Sequence, residues 1–215
     1  MYPMLGTCPD LAYAVGALGR HAATPGEEHQ RALDRVFRYL RATKDWCLTY
    51  QRGAPESSML TGYADADWAN DLGNRKSTSS YVFKLAGGAV SWSSKKQSSV
   101  ALSSTKAEYI ARAHAAKELV WLRRLLGDIG MPDDGPTTLR IDNQSAIAIA
   151  KNPQFHDWTK HIEVRYHYLR DKVKEEELEL EYVPTGEQIA DALMKALNKD
   201  KHTTFAKEMG VLRPV

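Results

Sequence analysis

The spacing of apolar residues divides the chain into stretches of two different periods. Over 25–42, Ala32, Val36, Tyr39 and Leu40 recur at helical steps after an acidic first turn, Glu27 and Glu28, and residues 9–22 read as a helix ahead of it. From residue 59 the pattern changes. Runs of β-prone residues at 59–66, 79–86 and 89–94 predict three strands, the last two joined through Gly87-Gly88 as a hairpin. A long helix follows over 105–129, with Ala111, Ala115, Leu119, Leu122, Leu126 and Ile129 along one face. "TTLRID" (137–142) reads as a strand and "NQSAIAIAK" as the start of a helix. Residues 158–174 read as a helix, "LELEYV" (178–183) as a strand, "GEQIADALMKAL" as an amphipathic helix and 199–209 as a last one. The polar, turn-rich "QRGAPESS" (51–58) marks a boundary between a helical segment, 1–52, and a main domain, 59–210.

Three meandering strands followed by alternating helices and strands predict an α/β fold, a mixed five-stranded sheet flanked by helices and preceded by a short N-terminal helical segment. Composition agrees: the 215 residues are 43% hydrophobic and 26% charged, the balance of a globular protein. The net charge of +2 permits a nucleic-acid partner without arguing for one, since a binding surface needs clustered charge. Cys8 and Cys47 form neither a disulfide framework nor a metal-ligand spacing and fit a reducing compartment. No signal peptide or membrane-spanning run is visible, so the expectation is a protein inside the cell with no membrane partner.

Chemistry enters with the acids. "GYADADWAN" (62–70) places Asp65 and Asp67 where the first strand ends. Glu108 heads the apolar stripe of the long helix, where a carboxylate is costly to desolvate unless paired or metal-bound. Each acid also has an ordinary reading. Thr105-Lys106-Ala107-Glu108 matches a capping box, Asp142 between strand and helix matches an N-cap, and Asp191 matches a solvated helix charge. As a set they gather at the edge of an α/β sheet where strands end and helices begin. A close pair of like charges there costs on the order of 4 kcal/mol at about 4 Å and an effective dielectric of about 20. Hard divalent cations, Mg²⁺ or Mn²⁺, are the natural counterweight for an all-oxygen cluster, and two of them suit phosphoryl transfer.

The stretches "GYADADWAND", "RKSTSSYVF", "SWSSKKQSSVALSSTKAEYIA", "LRIDNQSAIAIAKNP", "KHIEVRYHYLRDKV" and "YVPTGEQIADALMKAL" closely resemble the ribonuclease H domain of copia-type retrotransposon polyproteins. "MYPMLGTCPDLAYAVG" and "RVFRYLRATKDW" resemble the end of the preceding reverse transcriptase region, which makes 1–52 a helical remnant of that region and 59–210 the ribonuclease H domain. The resemblance implies four metal-binding catalytic acids, Asp65, Glu108, Asp142 and Asp191, with Asp67 as runner-up to Asp65, and two divalent ions, Mg²⁺ or Mn²⁺. Two departures stand out: Met194 and Ala196 occupy positions where the family shows threonine and proline, and Lys106 occupies one where it shows glutamate.

The implied reaction is cleavage of the RNA strand of an RNA–DNA hybrid, through contacts to phosphate and 2′-OH rather than bases. Ser104, Thr105 and Gln144 lie beside the acids in sequence, and Arg75 with Lys76 and Lys95-Lys96-Gln97 form small basic clusters, so these are the expected substrate-binding residues. Trp92 and Trp121 are expected in the core, and His161 and His167 as ordinary core or surface histidines rather than catalytic ones. Expected partners are the hybrid and the rest of the reverse transcriptase, and the expected location is a cytoplasmic virus-like particle or the nucleus. No polymerase acid motif is present, and the acid spacing does not suit an integrase. A catalytically silent module that binds nucleic acid or protein stays open as the alternative.

Overall fold

The structure is a computed structural model describing residues 1–51, 53, 59–69, 71, 73–132, 135–151 and 163–214. Its centre is a five-stranded sheet of β2 (Thr61–Asp67), β3 (Thr78–Leu85), β4 (Gly88–Lys96), β5 (Thr137–Ile141) and β6 (Leu178–Tyr182), in the order β4-β3-β2-β5-β6. β2, β3 and β4 pair antiparallel, while β5 runs parallel to both β2 and β6. The expected mixed sheet is present. The hairpin turn sits one residue earlier than the Gly-Gly pair suggests: Leu85 pairs with Gly88, so Ala86 and Gly87 turn the chain, both at positive φ. Gly88 belongs to the strand instead, packed so tightly that a Cβ there would collide with the Thr49 carbonyl.

Alternation along the strands builds two cores. Ala64, Phe83, Leu139 and Leu180 face α4 (Ser104–Asp128) and α6 (Glu163–Lys174), joining Tyr109, Ala115, Leu119, Leu122 and Leu169. Tyr63, Val82 and Ala89 face the other way, against Ile189, Leu193, Phe205, Met209 and Ala12. The second face is covered by α2 (Ala12–Gly19), a short 3₁₀ turn (Ile189–Leu193) and α7 (Lys199–Glu208). Ile129, assigned by spacing to the buried stripe of α4, is instead 60% exposed, because it lies just past the helix end. Trp92 is half-buried, its indole N–H donating to the Met4 carbonyl at 2.7 Å, whereas Trp121 is 55% exposed and not core, on a side of α4 facing away from the sheet.

The N-terminal stretch contains α1 (Tyr2–Gly6), a 3₁₀ turn (Pro9–Leu11), α2 and α3 (Glu27–Ala42). The last two occupy the predicted helical spans. A short strand unseen in the sequence, β1 (Cys47–Leu48), pairs antiparallel with β7 (Val211–Leu212), and the Thr49 N–H donates to the Gly210 carbonyl at 2.8 Å. Residues 1–51 are therefore stitched to the C-terminal end and share the second core through Ala12. Most of the expected 51–58 boundary, the start of the 158–174 helix and His161 lie outside the described residues. α5 (Gln144–Lys151) and α7 fall where the pattern places helices. The stretch around Asp191 does not. It is broken at Gln188, whose backbone is extended (φ −72°, ψ 95°), and Ile189–Leu193 forms a tight 3₁₀ turn in which all five residues are buried.

Candidate active site

β2 and β5 are parallel neighbours with Tyr63 opposite Arg140, so two residues further on Asp65 comes level with Asp142. Asp65 points to the same face as Tyr63, the face covered by the Ile189–Leu193 turn that carries Asp191. Asp65 is 8% exposed and Asp191 is fully buried, while Asp142 is half-buried where β5 ends. The Asp65 carboxyl is pushed up to about 8. Burial is the largest cause, the Asp142 charge the next, and Asp191 adds to both; the Ala66 N–H, donating to Asp65 Oδ1 at 2.7 Å, pulls the other way. Two buried acids, Asp65 and Asp191, and the half-buried Asp142 thus interact at one corner.

Glu108 completes the set from the other side. Helix α4 starts at Ser104, and its N-cap is Ser103, whose hydroxyl accepts the Lys106 N–H at 3.2 Å. Glu108 is then the fifth helical residue, two positions too deep for a capping box. It accepts instead from Arg112 Nη2 at 2.7 Å and Asn143 Nδ2 at 2.5 Å. Asp142 is not an N-cap either: Asn143 does that work, its Oδ1 accepting the Ala146 N–H at 3.1 Å. Asp142 accepts from the Thr185 hydroxyl at 3.1 Å. Asp191, fully buried, is not a solvated helix charge. Asn143, the residue next to Asp142, thus ties Glu108 on α4 to the end of β5. Asp67 is half-buried two residues past Asp65 on the same strand face.

Several residues that shape the cluster carried no sequence signal. Gln188, fully buried, donates from Nε2 to the carbonyls of Ala64 (3.3 Å) and Arg140 (3.4 Å) and accepts the Ala190 N–H at 3.3 Å, bolting the Asp191 turn to both acid-bearing strands. Arg112, 2% exposed, braces Glu108. Lys195 and Lys201 reach Asp191 at 2.8 and 3.3 Å. Of these only the Glu108–Arg112 and Asp191–Lys195 spacings, four residues each, resemble a signal, and such pairs are common on ordinary helices.

The expected substrate-binding residues divide. Ser104 and Thr105 are exposed on the first turn of α4, the helix that carries Glu108, and Gln144 is exposed at the start of α5, two residues after Asp142. Arg75 and Lys95 are exposed, and Lys96 is paired with Asp71. Gln97 must be withdrawn from the set. It is 4% exposed, with its Nε2 donating to Ser79 Oγ and to the Ala107 carbonyl, each at 2.8 Å, so it locks β4 to α4 and presents nothing to a ligand. His167 is exposed, as an ordinary surface histidine would be.

The chemistry of the corner fits hard divalent cations: the donors are carboxylate oxygens, and burial first, then the neighbouring acids, raises Asp65. Among the described residues no three His, Cys, Asp or Glu side chains stand ready around one point, and Asp191 and Glu108 already hold cationic partners. Asp65, Asp142 and Asp191 fit the ion by donor type, with Glu108 held at the rim.

No family model matches the chain. It is 45% identical over 211 residues, 98% of its length, to the retrovirus-related Pol polyprotein from transposon TNT 1-94 of Nicotiana tabacum. It is 39% identical over 207 residues, 96% of its length, to that from transposon RE2 of Arabidopsis thaliana. The chain belongs to the copia-type retrotransposon Pol polyproteins. This Pol chain spans 16% and 14% of the length of those two relatives. It is also 53% identical over 122 residues to the secreted RxLR effector protein 161 of Plasmopara viticola, covering 57% of this chain and 84% of that one. Among solved structures, LC11 ribonuclease H1, isolated from compost by a metagenomic approach, aligns over 64% of this Pol chain and 93% of its own, at 18% identity and a TM-score of 0.48.

Proposed function

We propose that this chain is the ribonuclease H of a copia-type Pol polyprotein, hydrolysing the RNA strand of RNA–DNA hybrids with divalent metal ions. The observation that carries the reading is the shared corner of Asp65, Asp142 and Asp191, in which burial and mutual repulsion hold Asp65 far above its ordinary range. Burying Asp65 beside two other acids costs stability, which marks a functional cluster rather than ordinary packing. Asp65, Asp142 and Asp191 would hold Mg²⁺ or Mn²⁺, with Glu108 at the rim. Bound there, such ions supply Lewis acidity, lowering the pKa of an attacking water and neutralising charge on the leaving 3′ oxygen.

The protein's own contribution is placement. Parallel pairing of β2 and β5 sets Asp65 beside Asp142, Gln188 fixes the Asp191 turn beneath them, and Arg112 with Asn143 holds Glu108 in one orientation. Ser104, Thr105 and Gln144 stand at two helix starts, close to the acids in sequence, where hydroxyl and amide groups would meet ribose and phosphate. Lys95 and Arg75 offer charge to the phosphates further out. The same reading places the chain with the rest of the reverse transcriptase, in a cytoplasmic particle or the nucleus.

The test is hybrid cleavage. Purified protein is incubated with an RNA–DNA hybrid labelled on its RNA strand, in Mg²⁺, Mn²⁺ or EDTA, beside an Asp142→Asn protein made identically. Cutting that needs metal and is lost in the variant supports the proposal. Intact hybrid in every metal, from protein that is folded and binds the hybrid, overturns it.

A further inference from the structure

Asp191 has no exposed surface, yet two ammonium groups reach it. Lys195 Nζ lies 2.8 Å from Oδ1, and Lys201 Nζ lies 3.3 Å from Oδ2. The two arrive by separate routes. Lys195 stands four residues beyond Asp191, just past the 3₁₀ turn, whereas Lys201 comes from the first turn of α7. Lys201 Nζ also contacts the Thr185 carbonyl at 3.5 Å, and Thr185 donates its hydroxyl to Asp142. Lys201 is therefore tied, through Thr185, to Asp142 as well as to Asp191.

One compensating charge satisfies a buried carboxylate, and here there are two. Both lysines keep partial exposure, although Lys201 also lies 5.0 Å over the Phe205 ring. Their side chains are 36% and 31% exposed, and the Lys195 contact is an ion pair without hydrogen-bond alignment, since Asp191 Oδ1 accepts no hydrogen bond among the described residues. Either ammonium can swing to water without opening the core, because a lysine stem is long and flexible. Both oxygens of Asp191 are covered by positive charge, so a divalent ion approaching that carboxylate meets an ammonium first.

We infer that Lys195 and Lys201 are resident counter-cations of Asp191, competing with a divalent cation for the Asp65–Asp191 side of the site and releasing an ammonium to solvent when the ion binds. This rests on the metal reading proposed above. It makes the lysines regulators of metal affinity: they keep the acid cluster folded at low metal and weaken binding of the ion. It also leaves a freed ammonium near the corner where a phosphate would enter.

The test is Mn²⁺ binding to the purified chain without nucleic acid, read from the paramagnetic resonance of free Mn²⁺. Lys195→Gln and Lys201→Gln each leave one ammonium on Asp191, so the buried charge keeps a partner in both. Each is expected to bind Mn²⁺ at least fivefold tighter than the parent, while Lys201→Arg, which keeps the charge, stays within twofold. A second readout uses the unaltered protein: Mg²⁺ should speed reductive methylation of Lys195 or Lys201, mapped by mass spectrometry, relative to Lys44 far along the chain. Parent binding of Mn²⁺ with no tightening in either glutamine variant, and no gain in lysine labelling, overturns the inference and leaves the metal reading standing. No Mn²⁺ binding by any of the proteins overturns both.

Discussion

Replacing Glu108 by glutamine should damage the fold as well as any chemistry, and this separates it from the other acids. The Arg112 guanidinium beneath it is 2% exposed. Glu108 accepts from its Nη2 at 2.7 Å, the Tyr109 ring lies 5.8 Å away, and Nε and Nη1 have no hydrogen bond among the described residues. With charge centres about 4 Å apart and an effective dielectric of about 20, the lost attraction is about 4 kcal/mol. Breaking one side of a buried ion pair costs about 3–5 kcal/mol. Glu108→Gln keeps the shape and leaves the guanidinium buried without a counter-charge, so a loss of about 3 kcal/mol is expected. Among the described residues Asp142 accepts an exposed hydrogen bond from Thr185, so Asp142→Asn should cost about 1 kcal/mol or less. Urea unfolding in EDTA, followed by far-ultraviolet circular dichroism, measures both. The double variant Glu108→Gln/Arg112→Met should return to within about 1 kcal/mol of the parent, since an apolar side chain of similar size can replace a buried charge at little cost, while remaining inactive. Equal stability of Glu108→Gln and Asp142→Asn, or no recovery in the double variant, would refute the reasoning.

Three further outcomes follow from particular contacts. The raised Asp65 carboxyl makes metal-free stability fall as pH rises from about 4 to about 8, because in that window the unfolded chain has lost a proton that the folded one keeps; below it both states are protonated. Asp65→Asn should flatten that slope in unfolding free energies measured at pH 5 and 8, and an unchanged slope would remove the charge-corner argument. Gln97→Ala should cost about 1–3 kcal/mol by orphaning buried groups, yet leave hybrid affinity within twofold; weaker binding at undiminished stability would return Gln97 to the substrate-binding set. Gly62→Ala should cost about 1–3 kcal/mol by overpacking, since a Cβ there would overlap the Phe83 ring and lie 2.9 Å from Leu139, and thermal melting will show whether the strand yields.

Long periodic elements were legible because their periods are set by what they bury. α4 and the β3–β4 pair present apolar residues to a sheet or helix at fixed steps, and both lie within a residue or two of their expected bounds. β1 was not legible, since two residues carry no period and its partner lies at the opposite end of the chain. The Asp191 segment misled for another reason. A turn buried on every side places apolar residues as an amphipathic helix would, and only the extended backbone at Gln188 betrays the difference. The acids themselves were visible as charges out of place, but their ordinary readings hung on single residues. Whether Glu108 caps a helix depends on α4 starting at Ser104, and whether Asp142 does depends on its neighbour Asn143. Those choices are made by local hydrogen bonds that composition and spacing leave degenerate. The supports contributed by Gln188, Arg112 and Lys201 come from tertiary contacts that sequence spacing does not express.

The measurement that bears most directly on the account is end-group analysis of RNA cut from a hybrid by this protein, in parallel with Asp65→Asn and Asp191→Asn. In-line attack by water with a leaving 3′ oxygen yields fragments bearing 5′-phosphate and 3′-hydroxyl ends, and the account predicts those ends only, from hybrid and not from DNA duplex, with neither variant cutting. Fragments ending in 3′-phosphate or cyclic phosphate, or cutting that survives the loss of both buried aspartates, would contradict it.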